Sequence, residues 1–116
     1  MNLRIKRAYE LASPEDGERF LVDRLWRRGV KKEAFVLSGW LKEVAPSDTL
    51  RRWFGHDPER WMEFRRRYLG ELKSQRAVLQ PLCDALKRGP VTLVYSARDE
   101  AHNQAVVLCE FLLKPS

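Results

Sequence analysis

A chain of 116 residues that is 44% hydrophobic and 33% charged has the composition of a folded globular domain, which excludes an intrinsically disordered protein. Its 22 Lys and Arg against 16 Asp and Glu give a net charge of +6, which allows an anionic partner without requiring one. Neither a signal peptide nor a membrane-spanning stretch is visible, so we expect a cytoplasmic protein, a single domain over residues 1–116 and no membrane partner.

The first part of the chain alternates short strands with turns. In residues 2–10 apolar and charged side chains alternate, which is the period of a half-buried strand. Residues 13–17 predict a turn or one helical turn capped by Ser13, and residues 19–25 predict a second strand. Residues 26–32 contain four basic side chains and a glycine, so we expect a loop there.

The middle of the chain carries helix start signals. An amphipathic patch surrounds Trp40, and a short helix is predicted from Ser47 as N-cap to Gly55. A longer helix is predicted after Asp57, because a proline and a glutamate suited to a first helical turn follow it. Apolar residues then recur at helical spacing and indicate a core-facing stripe, formed by Trp61, Phe64, Tyr68 and Leu72.

The last third of the chain predicts a helix, a strand and a second helix. The helix over residues 74–90 contains Pro81, which should kink or restart it. Residues 90–97 form the most apolar strand, and residues 99–113 predict a closing helix. On that closing helix we expect one buried stripe, formed by His102, Val106, Cys109 and Leu113.

Strands and helices that alternate in this way predict an α/β fold. We expect a small single domain with a short, mostly parallel sheet covered by helices in a Rossmann-like three-layer arrangement. In such sheets ligands bind beyond the carboxyl ends of the strands, where helix N-termini present unpaired N–H groups. The sequence therefore predicts a cleft for an anion or phosphate-bearing ligand at this edge of the sheet.

Polar residues that follow the second and last strands are the candidates for this cleft. Arginine suits bidentate binding of phosphate or carboxylate, and histidine suits proton transfer near neutral pH. We predict His102 as a catalytic acid or base, with Asp23 as a second catalytic candidate. The predicted ligand-binding residues are Arg24, Arg28, Ser96, Arg98, Asp99 and Asn103.

Each candidate also has a purely structural interpretation. Arg24 can pair with Asp23 or with another carboxylate, and Asp99 can be the N-cap of the last helix. His102 can be a structural histidine of the buried stripe, and His56 can be a hinge or cap contact in its turn.

The standard signatures of catalysis and cofactor binding are absent from the sequence. It has no phosphate-binding glycine motif, no zinc-ligand spacing and no nucleophile elbow, so we expect no metal and no cofactor. Cys83 and Cys109 each lie among apolar residues, which predicts buried free thiols.

Three stretches resemble domain-of-unknown-function family 488 (DUF488), and within it the YeaO-like branch: "SPEDGERFLVDRLWRRG", "WLKEVAPSDTLRRWFGHDPERWMEFRRRYLGEL" and "VTLVYSARDEAHNQAVVL". The resemblance runs from about Ile5 to Leu113. It implies a compact α/β domain and brings no established activity. It also implies that a set of positions belongs to the family pattern, namely Arg24, Trp26, Arg28, Gly29, Trp40, Lys42, Pro46, Ser47, Trp53, His56, Asp57, Asp99, His102 and Asn103.

Two departures from the family pattern bear on chemistry. Many relatives outside this branch look as though they carry a Cys at the end of the last strand and a Cys-His-Arg run at the start of the following helix. This chain has Tyr95 and His-Asn-Gln at residues 102–104 there, which argues against thiol chemistry. The branch usually has Trp-Pro-Arg-Gly where residues 26–29 are Trp-Arg-Arg-Gly, so this loop is more basic and less rigid.

Three functions are therefore open. The first is a small enzyme or ligand-binding domain that acts on a phosphate-bearing small molecule or nucleotide. The second is a nucleic-acid-binding accessory protein that uses the basic residues of 27–32 and 65–67. The third is a non-catalytic interaction module in which the rim of the cleft is structural. The sequence leaves the oligomeric state open.

Overall fold

The computed structural model describes residues 2–26 and 37–114, and in them the strands form one parallel sheet. The strands are β1 (Leu3–Arg7), β2 (Glu18–Leu21), β3 (Gly39–Trp40) and β4 (Val91–Tyr95). Their order is β1-β4-β2-β3, and each of the three pairings is parallel. The predicted α/β class with a short parallel sheet is confirmed.

In the described residues four α-helices accompany the sheet: α1 (Asp48–Phe54), α2 (Trp61–Ser74), α3 (Gln80–Arg88) and α4 (Gln104–Leu113). Short 3-10 turns cover Pro14–Asp16, Lys42–Val44, Pro58–Arg60 and Arg76–Leu79. Within the described residues, none of the helices combines the length and the apolar character that crossing a membrane would need.

The local start and stop signals act as the sequence predicts. Ser47 caps α1, because its hydroxyl accepts the N–H of Leu50 at 3.2 Å, and Gly55 ends the helix in the left-handed conformation. Asp57 caps the 3-10 turn that leads into α2. Pro81 lies in the first turn of α3, so it restarts the helical segment and does not kink it.

The structure corrects the predicted closing helix. Asn103 is its N-cap and accepts the N–H of Val106 at 3.1 Å, so α4 begins four residues later than predicted and His102 precedes it. The shift also changes which side chains are buried. Among the described helix residues these are Ala105, Val107 and Leu108, and the predicted stripe through Cys109 and Leu113 is wrong.

Two further elements differ from the prediction. The second strand ends at Leu21, so Asp23 and Arg24 lie beyond it in the following turn. The patch around Trp40 contains the short strand β3, because Gly39 and Trp40 pair with residues of β2. Most of the predicted basic loop at 26–32 lies outside the described residues.

Strand β4 is the centre of the fold. All five of its residues are buried, and it pairs with β1 along one edge and with β2 along the other. On one face of the sheet its alternate residues join the main apolar cluster, to which all four helices contribute buried side chains. The α2 side chains in this cluster are Phe64, Tyr68 and Leu72, while Trp61 of the predicted stripe is partly buried against it. The predicted core stripe is thus confirmed.

The opposite face of the sheet contains a buried charge network. The Asp16 side chain is 0% exposed and accepts from Lys6 Nζ at 3.2 Å and from Arg19 Nη1 at 2.5 Å. The N–H and the hydroxyl of Ser13 also donate to it, each at 3.1 Å. The Thr92 hydroxyl donates to the Asp16 carbonyl at 2.9 Å, which links the turn to β4. Burial alone would raise the pKa of Asp16, but these donors together lower it to about 2.

Gly17 is required by both its backbone and its surroundings. Its φ is +65°, and a Cβ there would lie 2.1 Å from the carbonyl oxygen of Pro90. We expect Gly17→Ala to lower the free energy of unfolding by about 3 kcal/mol or more, measured by urea denaturation. The control is Gly70→Ala in α2, where no heavy atom lies within 4 Å of the added Cβ. That change should stabilise the protein by about 0.5–1 kcal/mol, and equal effects of the two changes would contradict the argument.

The Asp16 network predicts acid sensitivity. The unfolded carboxyl takes up a proton near its ordinary pKa of 3.8, whereas the folded one resists protonation until about 2. The stability that the ionised Asp16 contributes is therefore complete above about pH 4 and is lost as the pH falls towards 2. In Asp16→Asn this part of the pH dependence should be missing, which urea denaturation across that range will test. An unchanged pH profile would contradict it.

Candidate functional site

A cleft of about 620 Å³ opens at the carboxyl ends of β2 and β4. The turn after β2, the turn after β4, helix α1 and the start of α4 all contribute to its wall. Because the sheet is parallel, these strand ends meet at one edge, as predicted from the sequence. The lining residues are Asp23, Arg24, Leu25, Ala45, Pro46, Arg51, Phe54, His56, Phe64, Ser96, Ala97, Arg98, Asp99, Asn103 and Gln104.

Asp23 holds the inner wall of the cleft together. Its Oδ2 accepts the N–H of Ser96 at 3.1 Å and the Ser96 hydroxyl at 2.5 Å. Its Oδ1 accepts Nε2 of Gln104 at 2.5 Å. One carboxylate therefore joins the turn after β2 to the turn after β4 and to the first residue of α4.

The electrostatics of Asp23 are those of a partly buried acid. Burial raises its pKa above the usual value, and the hydrogen bonds from Ser96 and Gln104 offset only part of that effect. The proton is thus held more readily in the folded protein than in the unfolded chain. The three donors make Asp23 well suited to position Ser96 and Gln104 in the wall.

Two guanidinium groups face the cleft from different elements. Arg24 follows β2 and Arg51 belongs to α1, and both approach the same Oδ1 oxygen of Asp48, at 3.7 Å and 3.6 Å. Neither distance is short enough for a hydrogen bond. The Nε atoms of Arg24 and Arg51 are buried and, in the described part of the chain, have no hydrogen-bond partner.

His56 and Arg98 add further polar groups to the rim of the cleft. His56 has a φ of +58° and its ring lies 6.1 Å from that of Phe54. Arg98 is exposed in the turn after β4. The rim is therefore rich in groups that can bind an anion, whereas Pro46, Phe54 and other apolar residues form the floor.

The turn before α4 is organised by Asp99. Its Oδ1 accepts the N–H groups of Ala101 at 2.9 Å and of His102 at 3.0 Å. Its Oδ2 lies 2.9 Å from His102 Nδ1, and that hydrogen bond is the main reason why the pKa of Asp99 is lowered. Asn103 Nδ2 donates to the Asp99 carbonyl at 2.8 Å, while its Oδ1 caps α4. The Asn103 side chain therefore stabilises both the turn and the helix start.

His102 lies beside the cleft and not in its wall. Its ring packs edge-on against Trp61, with 5.1 Å between the ring centroids, and its Nδ1 is engaged by Asp99. Asp23, Arg24, Ser96, Arg98, Asp99 and Asn103 do line the cleft. Arg28 lies outside the described residues. The chemical roles predicted for these residues remain predictions.

Sequence reasoning did not assign Arg51 and Gln104 to the cleft and treated His56 only as a turn residue. Arg51 lies three residues after Asp48 on a helix, which is the spacing of an ordinary surface ion pair. Gln104 directly follows the helix cap. Nothing in the local pattern marks either residue, because each reaches the cleft only through the packing of its helix.

Neither cysteine lines the cleft. Cys83 and Cys109 are free and partly buried in α3 and α4, and burial raises the pKa of Cys109. Within residues 2–26 and 37–114, no group of three or more His, Cys, Asp or Glu side chains is arranged to hold a metal ion.

Comparisons with known proteins place these features in a family context. The model of the DUF488-N3i family, described as "Inactive DUF488-N3 subclade", matches residues 2–116. The uncharacterized protein YeaO of Escherichia coli (strain K12) is 43% identical over 112 residues, covering 97% of each chain. The uncharacterized protein Rv3073c of Mycobacterium tuberculosis is 43% identical over 110 residues, covering 95% of this chain and 92% of its own. No solved structure matches the chain.

The Asp23 arrangement predicts a graded loss of stability. Asp23→Ala removes the acceptor of three donors, and we expect a loss of about 1–3 kcal/mol in the free energy of unfolding. Ser96→Ala removes only the hydroxyl donor and should cost about 1 kcal/mol or less. Urea denaturation of both variants tests the order. A larger effect of Ser96→Ala would show that Asp23 is not the residue that joins the wall.

Proposed function

We propose that this chain, which belongs to the DUF488-N3i family, is a non-catalytic domain that binds a phosphate-bearing small molecule in the cleft. The family is described as the inactive DUF488-N3 subclade. The ligand's anionic group would lie against the guanidinium groups of Arg24 and Arg51. Its remaining part would extend over the apolar floor of the cleft.

The observation that carries this proposal is that one nitrogen of each of two guanidinium groups has no hydrogen-bond partner in the described residues. Nε of Arg24 and Nε of Arg51 are buried at the cleft without a hydrogen-bond acceptor in the described residues. A buried donor that lacks an acceptor costs about 1–3 kcal/mol, and more when the group is charged. An oxyanion that accepts from both residues would remove that cost. Arginine is also the side chain best suited to planar, two-point binding of phosphate.

A binding role without turnover is supported by the composition of the cleft. His102, the predicted acid or base, is not among its lining residues, and neither cysteine is. The Asp23 carboxylate already accepts three hydrogen bonds from the protein, which favours a positioning role over proton transfer. The description of the family as inactive agrees with this interpretation.

The nucleic-acid alternative receives less support from the surface. Arg65 pairs with Glu110, while Arg66 and Arg67 both pair with Glu63, at 2.5 Å and 2.7 Å. The basic run that suggested phosphate contacts is thus largely neutralised by acidic neighbours. These exposed ion pairs are weak, so they reduce the free charge of this run without preventing phosphate contacts, and the other basic run, at 27–32, lies outside the described residues.

A thermal-shift screen of nucleotides, sugar phosphates and simple oxyanions tests the proposal. A ligand at about a hundred times its dissociation constant adds about 2.7 kcal/mol, which raises the melting temperature of a domain of this size by several degrees. We expect at least one phosphate-bearing stabiliser. Its effect should shrink in Arg24→Ala and in Arg51→Ala, because each change removes a charge-assisted donor.

The matched control is Arg88→Ala. Arg88 is also an arginine paired with a carboxylate, but its partner is Glu18 at the opposite end of β2 from the cleft. Stabilisation that falls equally in all three variants would indicate a general charge effect and would contradict a specific site. Phosphorus NMR of the best stabiliser, incubated with an equimolar amount of protein, should show the ligand unchanged. Conversion of the ligand would refute the non-catalytic part of the proposal.

A further inference from the structure

We infer that Asp48 is an internal competitor for the cleft, a residue that sets both the affinity and the charge preference of the site. Its carboxylate does not line the cleft itself, but it lies within 3.7 Å of two arginines that do. This inference rests on the proposed function, because it concerns the same pair of guanidinium groups.

The geometry places one oxygen between two cations. Asp48 Oδ1 lies 3.7 Å from Arg24 Nε and 3.6 Å from Arg51 Nη2. The two arginines come from distant parts of the chain, so Oδ1 marks a point at which a single anionic oxygen is shared by both. At these distances the carboxylate neutralises charge but makes no hydrogen bond to either group. The two Nε donors therefore have no acceptor in the described residues, and because both atoms are buried a ligand oxygen reaches them only when the arginine side chains shift.

Asp48 is also free to leave this position. Its side chain is 55% exposed, at the first residue of α1. In the described part of the chain its carboxylate accepts no hydrogen bond, and its two ion pairs are long. Ion pairs of this exposed kind are weak, so rotation of the side chain into water costs little. The helix itself is capped by Ser47 and does not depend on this carboxylate for its start.

The charge balance gives the site a preference. With Asp48 in place, the two guanidinium groups carry one excess positive charge. A ligand with one negative charge would only replace the single negative charge that the Asp48 carboxylate already places near the two arginines. A phosphate group with two negative charges interacts more strongly with both arginines and can displace the carboxylate. We expect the site to favour dianionic phosphate over a monoanionic carboxylate.

The experiment follows the arginine side chains directly. Inorganic phosphate in mildly alkaline solution and, separately, acetate are titrated into the ¹⁵N-labelled protein, and the Nε–H signals of Arg24 and Arg51 are recorded. The variants are Asp48→Asn and Asp48→Ser. Serine is favoured near helix N-termini. If Asp48→Asn no longer gives the NMR spectrum of the folded protein, Asp48→Ser is used to compare the affinities. The charge-matched control is Asp84→Asn, an exposed position in α3 whose carboxylate is bound by Gln80.

We expect both Asp48 variants to bind phosphate about fivefold more tightly than the unchanged protein, or better. One like charge about 4 Å from a single ligand charge has about that effect in the dielectric of water, and the second charge of phosphate adds to it. The gain for acetate should be smaller, because acetate carries one charge, and Asp84→Asn should leave both affinities as they are.

The outcomes separate the two proposals. One outcome is that phosphate shifts the Arg24 and Arg51 signals of the unchanged protein while the Asp48 variants show the same phosphate affinity. That result overturns the competitor role and leaves the anion site standing. Weaker binding by the Asp48 variants would likewise overturn it, since Asp48 would then support the site. If no form of the protein shifts these signals with any anion, the proposed function fails and the inference fails with it.

Discussion

The rest of the structure depends on the complete burial of β4 between two parallel neighbours. Its five residues are apolar except for Thr92, and the hydroxyl of Thr92 is satisfied by the Asp16 carbonyl. Hydrogen bonding on both edges fixes the register with β1 and β2. Since all strands run the same way, their carboxyl ends meet at one edge of the sheet, and Asp23 comes within hydrogen-bond distance of Ser96. The cleft is a direct consequence of this central strand.

Charged side chains are fully paired at one end of the sheet and incompletely paired at the other. Near the start of β2, Asp16 is bound by both Lys6 and Arg19, so charges and donors are matched and the network stabilises the fold. At the cleft, Arg24 and Arg51 share one distant carboxylate and keep unsatisfied donors. The matched Asp16 network stabilises the fold, whereas the unsatisfied Nε donors of Arg24 and Arg51 are the observation that supports the proposed anion site.

Net charge and available charge are different quantities in this protein. The sequence carries +6, yet much of the conspicuous basic run at 65–67 is paired with Glu63 and Glu110. The charge that favours an anionic ligand comes instead from residues that are scattered in the sequence and gathered by the fold. A basic composition allows an anionic partner, and the pattern of ion pairs supports the position proposed for that partner.

The sequence by itself determined the α/β class and the elements whose start and stop signals are local. The helix caps Ser47 and Asp57 act within three residues of themselves, and the stripe of Phe64, Tyr68 and Leu72 follows from helical periodicity alone. Only the tertiary structure decided that Asn103, and not Asp99, begins α4, because both residues are capable caps. It also decided that Arg51 meets Arg24 at the cleft while His102 packs on Trp61. These contacts join residues far apart in the chain, and the packing of helices on the sheet, which no local pattern encodes, brings them together.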